Sequence, residues 1–246
     1  MRHFGVVGNP LGHSFSAAYF AEKFRREGID ADYRLLPLPD IRDVVGVMEE
    51  LDGFNVTLPY KQAVMPYLSE LDSIAKTIGA VNVVRGRCGY NTDWVGFVES
   101  IRPLLSETDK RALVLGTGGV SKAVQYGLQR LGVEYVLVSR SPHDGAIAYE
   151  DIGAEVLAEH TVVVNCTPLG MYPDVDKCPC LPYEQLDSRH LLYDCVYNPE
   201  RTLFLQHGEE RGARTKNGLE MLHLQAEAAW KIWNEQKTDN RYDEKK

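Results

Sequence analysis

The stretch Arg111-Ala-Leu-Val-Leu115, running directly into Gly116-Thr-Gly118-Gly119-Val-Ser121, decides the fold. The first five residues read as a short apolar strand suited to burial on both faces. A helix follows through Ala123, Val124, Leu128 and Leu131 and ends at Gly132. Tyr135-Val-Leu-Val138 reads as a second strand of this unit, Thr161-Val-Val-Val-Asn165 as a third and Leu191-Leu-Tyr-Asp194 as a fourth. Strands that alternate with helices make a parallel α/β sheet.

Strand, glycine turn and helix in that order form the context of a dinucleotide-binding loop. Gly116 allows the tight turn. Gly118 lets backbone approach a pyrophosphate, which the helix N-terminus then favours electrostatically. Ser121 stands where a third glycine would be, so a glycine turn in an unrelated α/β unit is the alternative. The end of the next strand discriminates between cofactors. An NAD site places an Asp or Glu there for the ribose hydroxyls. Here Ser139-Arg140-Ser141 offers a guanidinium with two flanking hydroxyls, which suits a 2′-phosphate, so NADP is expected.

The N-terminal half carries a different kind of chemistry. Phe4 to Val7 reads as a strand ending in the turn Gly8-Asn9-Pro10. Ser14 or Ser16 can cap the helix that follows, with Phe20 and Phe24 one turn apart and Gly28 as its stop. A cap explains one serine; two at alternate positions beside His13 are equally consistent with a polar ligand. Tyr33 and Leu35 mark a second strand, and Asp40 caps a helix with Ile41, Val44, Val45, Met48 and Leu51 inward. Gly53-Phe54-Asn55-Val56-Thr57 is a further strand, followed by Leu58-Pro59-Tyr60-Lys61 with Pro59 at a helix start. Asn55 and Thr57 face one side of the strand, and Lys61 lies about one helical turn on. Two neutral hydrogen-bonding groups and an amine then converge at a strand's C-terminal end, where open α/β sheets bind ligands. A plain strand–helix junction with an exposed lysine fits that stretch equally well. A helix through Ile74 and Ile78, a hairpin around Arg85-Gly86-Arg87 and a helix from Asn91-Thr92-Asp93 through Ile101 follow.

A polar stretch from Pro103 to Lys110 reads as a linker between two units. After Asn217-Gly218 a long helix runs from Leu219 to about Trp233 with apolar positions nearly all round, and the charged tail from Lys237 is expected to fray. The chain of 246 residues has a net charge of −8, which argues against a general nucleic-acid binder. It has no apolar run long enough for a membrane span, and its N-terminus reads as a strand rather than a signal peptide, so a cytoplasmic location is expected. Five cysteines, an odd number, argue against a disulfide framework. Cys178-Pro-Cys180 lacks the spacing and further ligands of a zinc site, so no metal is expected.

Taken together, these motifs resemble the shikimate dehydrogenase family across nearly the whole chain. The resemblance rests on Gly8-Asn-Pro-Leu-Gly-His13-Ser14-Phe-Ser16, Asn55-Val-Thr57-Leu-Pro-Tyr-Lys61, Gly79-Ala-Val-Asn82 and Asn91-Thr-Asp93-Trp-Val-Gly96. It rests equally on the glycine loop with Ser139-Arg140-Ser141, Tyr197-Asn-Pro-Glu-Arg-Thr202, Gly218-Leu-Glu-Met221 and Gln225-Ala226. It implies a two-domain α/β protein: a substrate domain over residues 1–102, completed by the C-terminal helix 218–246, and a Rossmann-like NADP domain over 103–217. It implies substrate contacts at Ser14, Ser16, Asn55, Thr57, Lys61, Asn82, Asp93, Tyr197, Gly218 and Gln225. Lys61 and Asp93 would be the catalytic pair. Cofactor contacts would fall at Gly116, Gly118, Gly119, Val120, Ser121, Ser139, Arg140, Ser141, Thr167 and Met221. The implied reaction reduces 3-dehydroshikimate to shikimate, a step of chorismate and aromatic amino-acid biosynthesis, in a monomer or homodimer. The residue types suit such a substrate: one carboxylate and three hydroxyls need neutral donors and acceptors without a competing charge.

Some residues depart from the family pattern. Ala17 replaces a frequent Pro, Tyr19-Phe20 a His-Asn, Val83 a Thr and Asn217 an Asp, and no second basic residue follows Arg140. A quinate/shikimate dehydrogenase using NAD and a non-catalytic shikimate-binding sensor are the alternatives; Arg140 argues against the first, Lys61 with Asp93 against the second. One expectation goes beyond the family. Only Ser141-Pro-His-Asp-Gly-Ala146 separates the strand ending at Val138 and its Ser139-Arg140 from Ile147-Ala148-Tyr149. A parallel crossover needs about a dozen residues, usually with a helix. The second crossover is therefore shortened: Ile147 to Tyr149 is an irregular edge segment or is reached by a bare loop. A mobile loop at 141–146 and a more open adenosine side are expected.

Overall fold

Two runs of strands build two sheets, and the computed structural model describes residues 1–11, 15–141 and 145–235 of the chain. In the first sheet β1 (Arg2–Gly8) is central, flanked in parallel by β2 (Ala31–Pro37) and β3 (Gly53–Val56). The hairpin β5 (Val83–Arg85) and β6 (Cys88–Tyr90) continues the sheet antiparallel to β3, and the short β4 (Glu70–Leu71) closes its edge. Its order is β2-β1-β3-β5-β6-β4. The aromatic side of its core joins Phe4 with Phe20 and Phe24 of α1 (Phe15–Glu27) and with Trp233 of α8 (Leu219–Asn234). Its other face is covered by α2 (Val44–Glu50) and flanked by α3 (Ser73–Ile78).

The second sheet is wholly parallel, in the order β11-β10-β9-β7-β8. Its strands are β7 (Arg111–Leu115), β8 (Glu134–Val138), β9 (Val162–Asn165), β10 (Leu191–Asp194) and β11 (Arg214–Lys216). The helices α5 (Gly119–Arg130), α6 (Ala154–Glu159) and α7 (Leu203–Glu210) connect them. Two apolar clusters, one on each face, bury alternate residues of β7 and β9. One contains Val114 and Val164, the other Leu113, Leu115 and Val163.

The helix α4 (Asp93–Ile101) joins the two units. Its Phe97, Val98 and Ile101 pack on the second sheet, while its first residue, Asp93, reaches back to the first. It lies so close to α8 that a Cβ on Gly96 would come 2.3 Å from the Met221 carbonyl oxygen. Glycine there lets two backbones touch, which fixes Asp93 relative to Gln225.

Several expectations need correction. Lys61 does not lie in an α-helix: residues 58–64 form consecutive turns leading to a 3₁₀ turn at Met65–Tyr67. The Lys61 carbonyl accepts from the Val81 N–H at 2.7 Å, so it is unavailable for a helical ladder. Val45 is exposed and Val47 buried in its place, because 44, 47, 48 and 51 make the helical stripe. α8 is not apolar all round. It buries Met221, Gln225, Ala226, Ala229 and Trp233 on one face, with His223, Lys231 and Asn234 exposed to solvent. Short α6, α7 and β11 go unmarked in the sequence.

The shortened crossover is present. Ile147 makes a single parallel bridge to Val138, with Ser139 N–H donating to its carbonyl at 3.0 Å and its own N–H donating to Leu137 at 2.9 Å. A 3₁₀ turn at Tyr149–Asp151 follows, and among the described residues no α-helix lies between Ser141 and Tyr149. Residues 142–144 of the expected mobile loop lie outside the described residues, as does the tail from Lys237.

Candidate active site

The C-terminal ends of both sheets face one cleft of about 1030 Å³. From the first unit come Thr57, Leu58, Lys61 and Asp93; from the second, residues 116–120, Val138 to Arg140 and Cys166 to Leu169. Tyr197, Gly218, Met221 and Gln225 complete the wall.

Lys61 Nζ donates to Asp93 Oδ2 at 2.6 Å, with the two side chains only 14% and 7% exposed. Asp93 sits in the first turn of α4, where the helix dipole favours a carboxylate. Its other oxygen accepts from Asn82 Nδ2 at 3.0 Å, and its N–H donates to Asn91 Oδ1. Both carboxylate oxygens are thus occupied, which holds the pair in one geometry. The Lys61 stem packs on the glycine loop: a Cβ on Gly119 would come 3.2 Å from Lys61 Cβ.

Around the pair runs a chain of neutral amides and hydroxyls. Asn82 Nδ2 also approaches Gln225 Oε1 at 3.3 Å and Thr92 Oγ1 at 3.0 Å, and Asn82 Oδ1 accepts from the Thr92 N–H. Asn55 Nδ2 donates to the Asn82 carbonyl at 3.2 Å, and Asn55 Oδ1 accepts from the Tyr33 hydroxyl at 2.7 Å. Burial pushes the Tyr33 phenol well up, with the nearby Ser16 hydroxyl acting in the opposite direction. Tyr33, Asn55, Asn82, Asp93, Lys61 and Gln225 therefore share one network, with Ser16 near Tyr33 and Thr57 on the adjoining cleft wall. Ser14 lies outside the described residues. Tyr33 was legible only as a strand residue; nothing in the sequence signals that its hydroxyl orients Asn55.

The second unit supplies a place for a dinucleotide. Gly116 has φ +98°, a conformation that favours glycine, and a Cβ there would come 3.0 Å from Thr167 Cγ2. A Cβ on Gly118 would meet nothing within 4 Å, so that position faces open space. No side chain caps α5, leaving its first N–H groups for an anion. Arg140 is exposed, lines the cleft and makes no ion pair or hydrogen bond among the described residues. These features fit a pyrophosphate on the loop and a 2′-phosphate on Arg140. Ser121 is fully buried and its hydroxyl accepts from Gln125, so it does not line the cleft. Ser139 Oγ is engaged by the Ser141 backbone. Tyr149 and Glu150 line the cleft beside Arg140, so the adenosine side has a partial wall where an open one was expected.

The Tyr197 and Thr167 loops are tied together by one carboxylate. Asp194 has no exposed surface and accepts from Asn165 Nδ2 (3.0 Å), the Val196 N–H (3.0 Å) and Thr202 Oγ1 (2.6 Å). Asn165 Oδ1 in turn accepts from the Thr167 N–H and hydroxyl. Burial outweighs these donors and raises Asp194 from 3.8 to about 6. A raised folded-state value means that the stability it confers is full below 3.8 and lost as pH rises through 6. The shift corresponds to about 3 kcal/mol. Asp194→Asn removes this dependence. Denaturant titrations from pH 4 to pH 7 are expected to show wild type losing stability relative to Asp194→Asn; parallel curves would contradict the raised carboxyl.

A parallel sheet with a glycine-turn helix start, an exposed arginine at the second strand and a lysine–carboxylate pair across the cleft defines a dinucleotide-dependent oxidoreductase. Residues 6–84 match the family model of the shikimate dehydrogenase substrate-binding domain. The shikimate dehydrogenase (NADP(+)) of Caldicellulosiruptor saccharolyticus is 33% identical, the alignment covering 95% of this chain and 92% of that protein. The Aquifex aeolicus shikimate dehydrogenase structure superposes with a TM-score of 0.84 at 32% identity, over 95% of this chain and 92% of that one. The Thermus thermophilus enzyme, solved with NADP(H) and shikimate, gives 0.84 at 32% identity, over 95% and 94%. The chain belongs to the shikimate dehydrogenase family.

Among the described residues no helix is long and apolar enough to cross a membrane.

Proposed function

We propose that this protein reduces 3-dehydroshikimate to shikimate with NADPH, the step its relatives carry out towards chorismate and the aromatic amino acids. The observation that carries this reading is the Lys61–Asp93 pair, 2.6 Å apart in a cleft walled by neutral hydrogen-bonding groups on one side and the glycine loop on the other. In this reading residues 1–102 with the C-terminal helix form most of the substrate side and 103–217 most of the cofactor side, with Tyr197 and Met221 each reaching across.

The bound nicotinamide supplies the reducing electron pair, and that chemistry is its own. The protein's part is to orient substrate and to move one proton. As the carbonyl carbon is reduced, its oxygen takes a proton from Lys61 Nζ; in the reverse direction Lys61 receives the hydroxyl proton. Asp93 keeps the amine aimed into the cleft and balances its charge, and Asn82 holds Asp93 from behind. Ser16, Asn55, Thr57, Tyr197 and Gln225, with Ser14, bind the remaining hydroxyls and the carboxylate. Gly218 lets the chain pass close beside them. Val120, Ser121 and Met221 complete the cofactor's surroundings with Gly116, Gly118, Gly119, Thr167, Ser139, Arg140 and Ser141.

The test is to follow nicotinamide absorbance with shikimate and then quinate, each against NADP and NAD. The reading expects turnover with shikimate and NADP to exceed every other combination. Turnover only with quinate, or none with any pair, would overturn it.

A further inference from the structure

Two of the cleft's side chains have no part in that chemistry. Cys166 and Cys195 are the residues next after β9 and β10, whose last paired residues are Asn165 and Asp194. Parallel strands in register place them on the same face, continuing Val162-Val164 and Leu191-Tyr193. Their sulfurs lie 3.9 Å apart, and both half-buried residues line the cleft. Neighbouring strands are about 4.8 Å apart, inside the Cα separation of roughly 4.4–6.8 Å that a disulfide spans. Closing the 3.9 Å gap to a bond takes rotation about both side chains together with a small movement of the two strand ends. Cys178 and Cys180 line the same cleft, but no group of three or more His, Cys, Asp or Glu among the described residues could hold a metal. The pair is a dithiol.

We propose that Cys166 and Cys195 form a peroxide-sensitive dithiol whose oxidation to a disulfide disables the cleft. The Cys166 sulfur attacks hydrogen peroxide, giving a sulfenic acid and releasing water. The Cys195 sulfur then displaces the sulfenic oxygen as a second water. Two thiols lose two electrons and two hydrogens, and one peroxide becomes two waters. The Cys166 sulfur against it and burial hold the Cys195 thiol above the ordinary range, and the two sulfurs can exchange roles without changing the balance.

The backbone at both strand ends lies against the cleft loops, so that movement is passed on to them. A Cβ on Gly218 would come 2.3 Å from the Cys195 carbonyl oxygen, and the Gly218 N–H donates to Val196 at 3.1 Å. Cys166 carries Thr167, whose methyl packs on Gly116. Drawing the sulfurs together shifts the Tyr197 loop and the Thr167 loop at once, on the substrate and cofactor sides. The loss of activity rests on the proposed function; the bond does not.

The experiment treats the full-length protein with hydrogen peroxide, with and without NADP, then quenches and maps peptides without reductant. Loss of two of the five thiols and a cross-linked peptide pair containing Cys166 and Cys195 are expected. NADP is expected to slow the linkage, and dithiothreitol to reverse it together with the loss of turnover. In Cys166→Ser and Cys195→Ser, whatever activity remains is expected to resist the same treatment. Oxidation at other cysteines with no 166–195 link would overturn the proposal. So would inactivation that persists unchanged in both serine variants. Because linkage is read by mass, its failure is distinguishable from failure of the dehydrogenase assignment.

Discussion

Lys61→Ala is expected to lower kcat by about 10²–10⁴-fold, the usual range for a lost general acid–base, with the cofactor KM nearly unchanged. The side chain that moves the proton is also half of a buried ion pair. Its removal leaves Asp93 charged and short of a partner, which typically costs about 3–5 kcal/mol. A fall in activity could then be mistaken for a fall in folded protein. Lys61→Arg separates the two effects. A guanidinium keeps Asp93 paired but does not give up its proton near neutral pH. Lys61→Arg is therefore expected to retain most of the thermal stability and still lose kcat. Steady-state kinetics beside thermal melts check both variants. Near wild-type kcat in either would remove Lys61 from the proton path.

Arg140→Asp is expected to reverse cofactor preference. Arg140 makes no ion pair or hydrogen bond among the described residues, so the substitution breaks none of theirs. A charge-assisted contact contributes roughly 1.5–3 kcal/mol, and the new carboxylate adds repulsion against a 2′-phosphate. A loss of about 10–10²-fold in kcat/KM for NADP is expected from that contact alone. NAD is expected to gain, because an acidic residue at this strand end accepts from the ribose hydroxyls. If the ratio of kcat/KM for the two cofactors stays where it was, the phosphate is held elsewhere.

The second unit was the more legible in sequence, for a physical reason. Strands such as β7 and β9 are buried on both faces and read as continuous apolar runs, and the glycine turn has a fixed purpose. β11 escaped because Arg-Thr-Lys on a sheet edge has no apolar pattern. Pro59 and the local spacing favour a helix at Lys61; the Val81 hydrogen bond that prevents it comes from twenty residues further on. In the site, motifs supplied the residue types, while contacts that depend on register between distant strands stayed hidden. Tyr33 on Asn55 is one such contact and Cys166 on Cys195 is another. Asp194, which joins two cleft loops, looked like the last residue of a strand.

The central claim is that Lys61 exchanges the proton of the reacting hydroxyl. A crystal structure of the protein with shikimate and NADP tests it most directly. The C3 hydroxyl oxygen is expected about 2.6–3.2 Å from Lys61 Nζ, with Asp93 still paired to the same amine. Shikimate bound in the cleft with that hydroxyl turned away from Lys61 would contradict it.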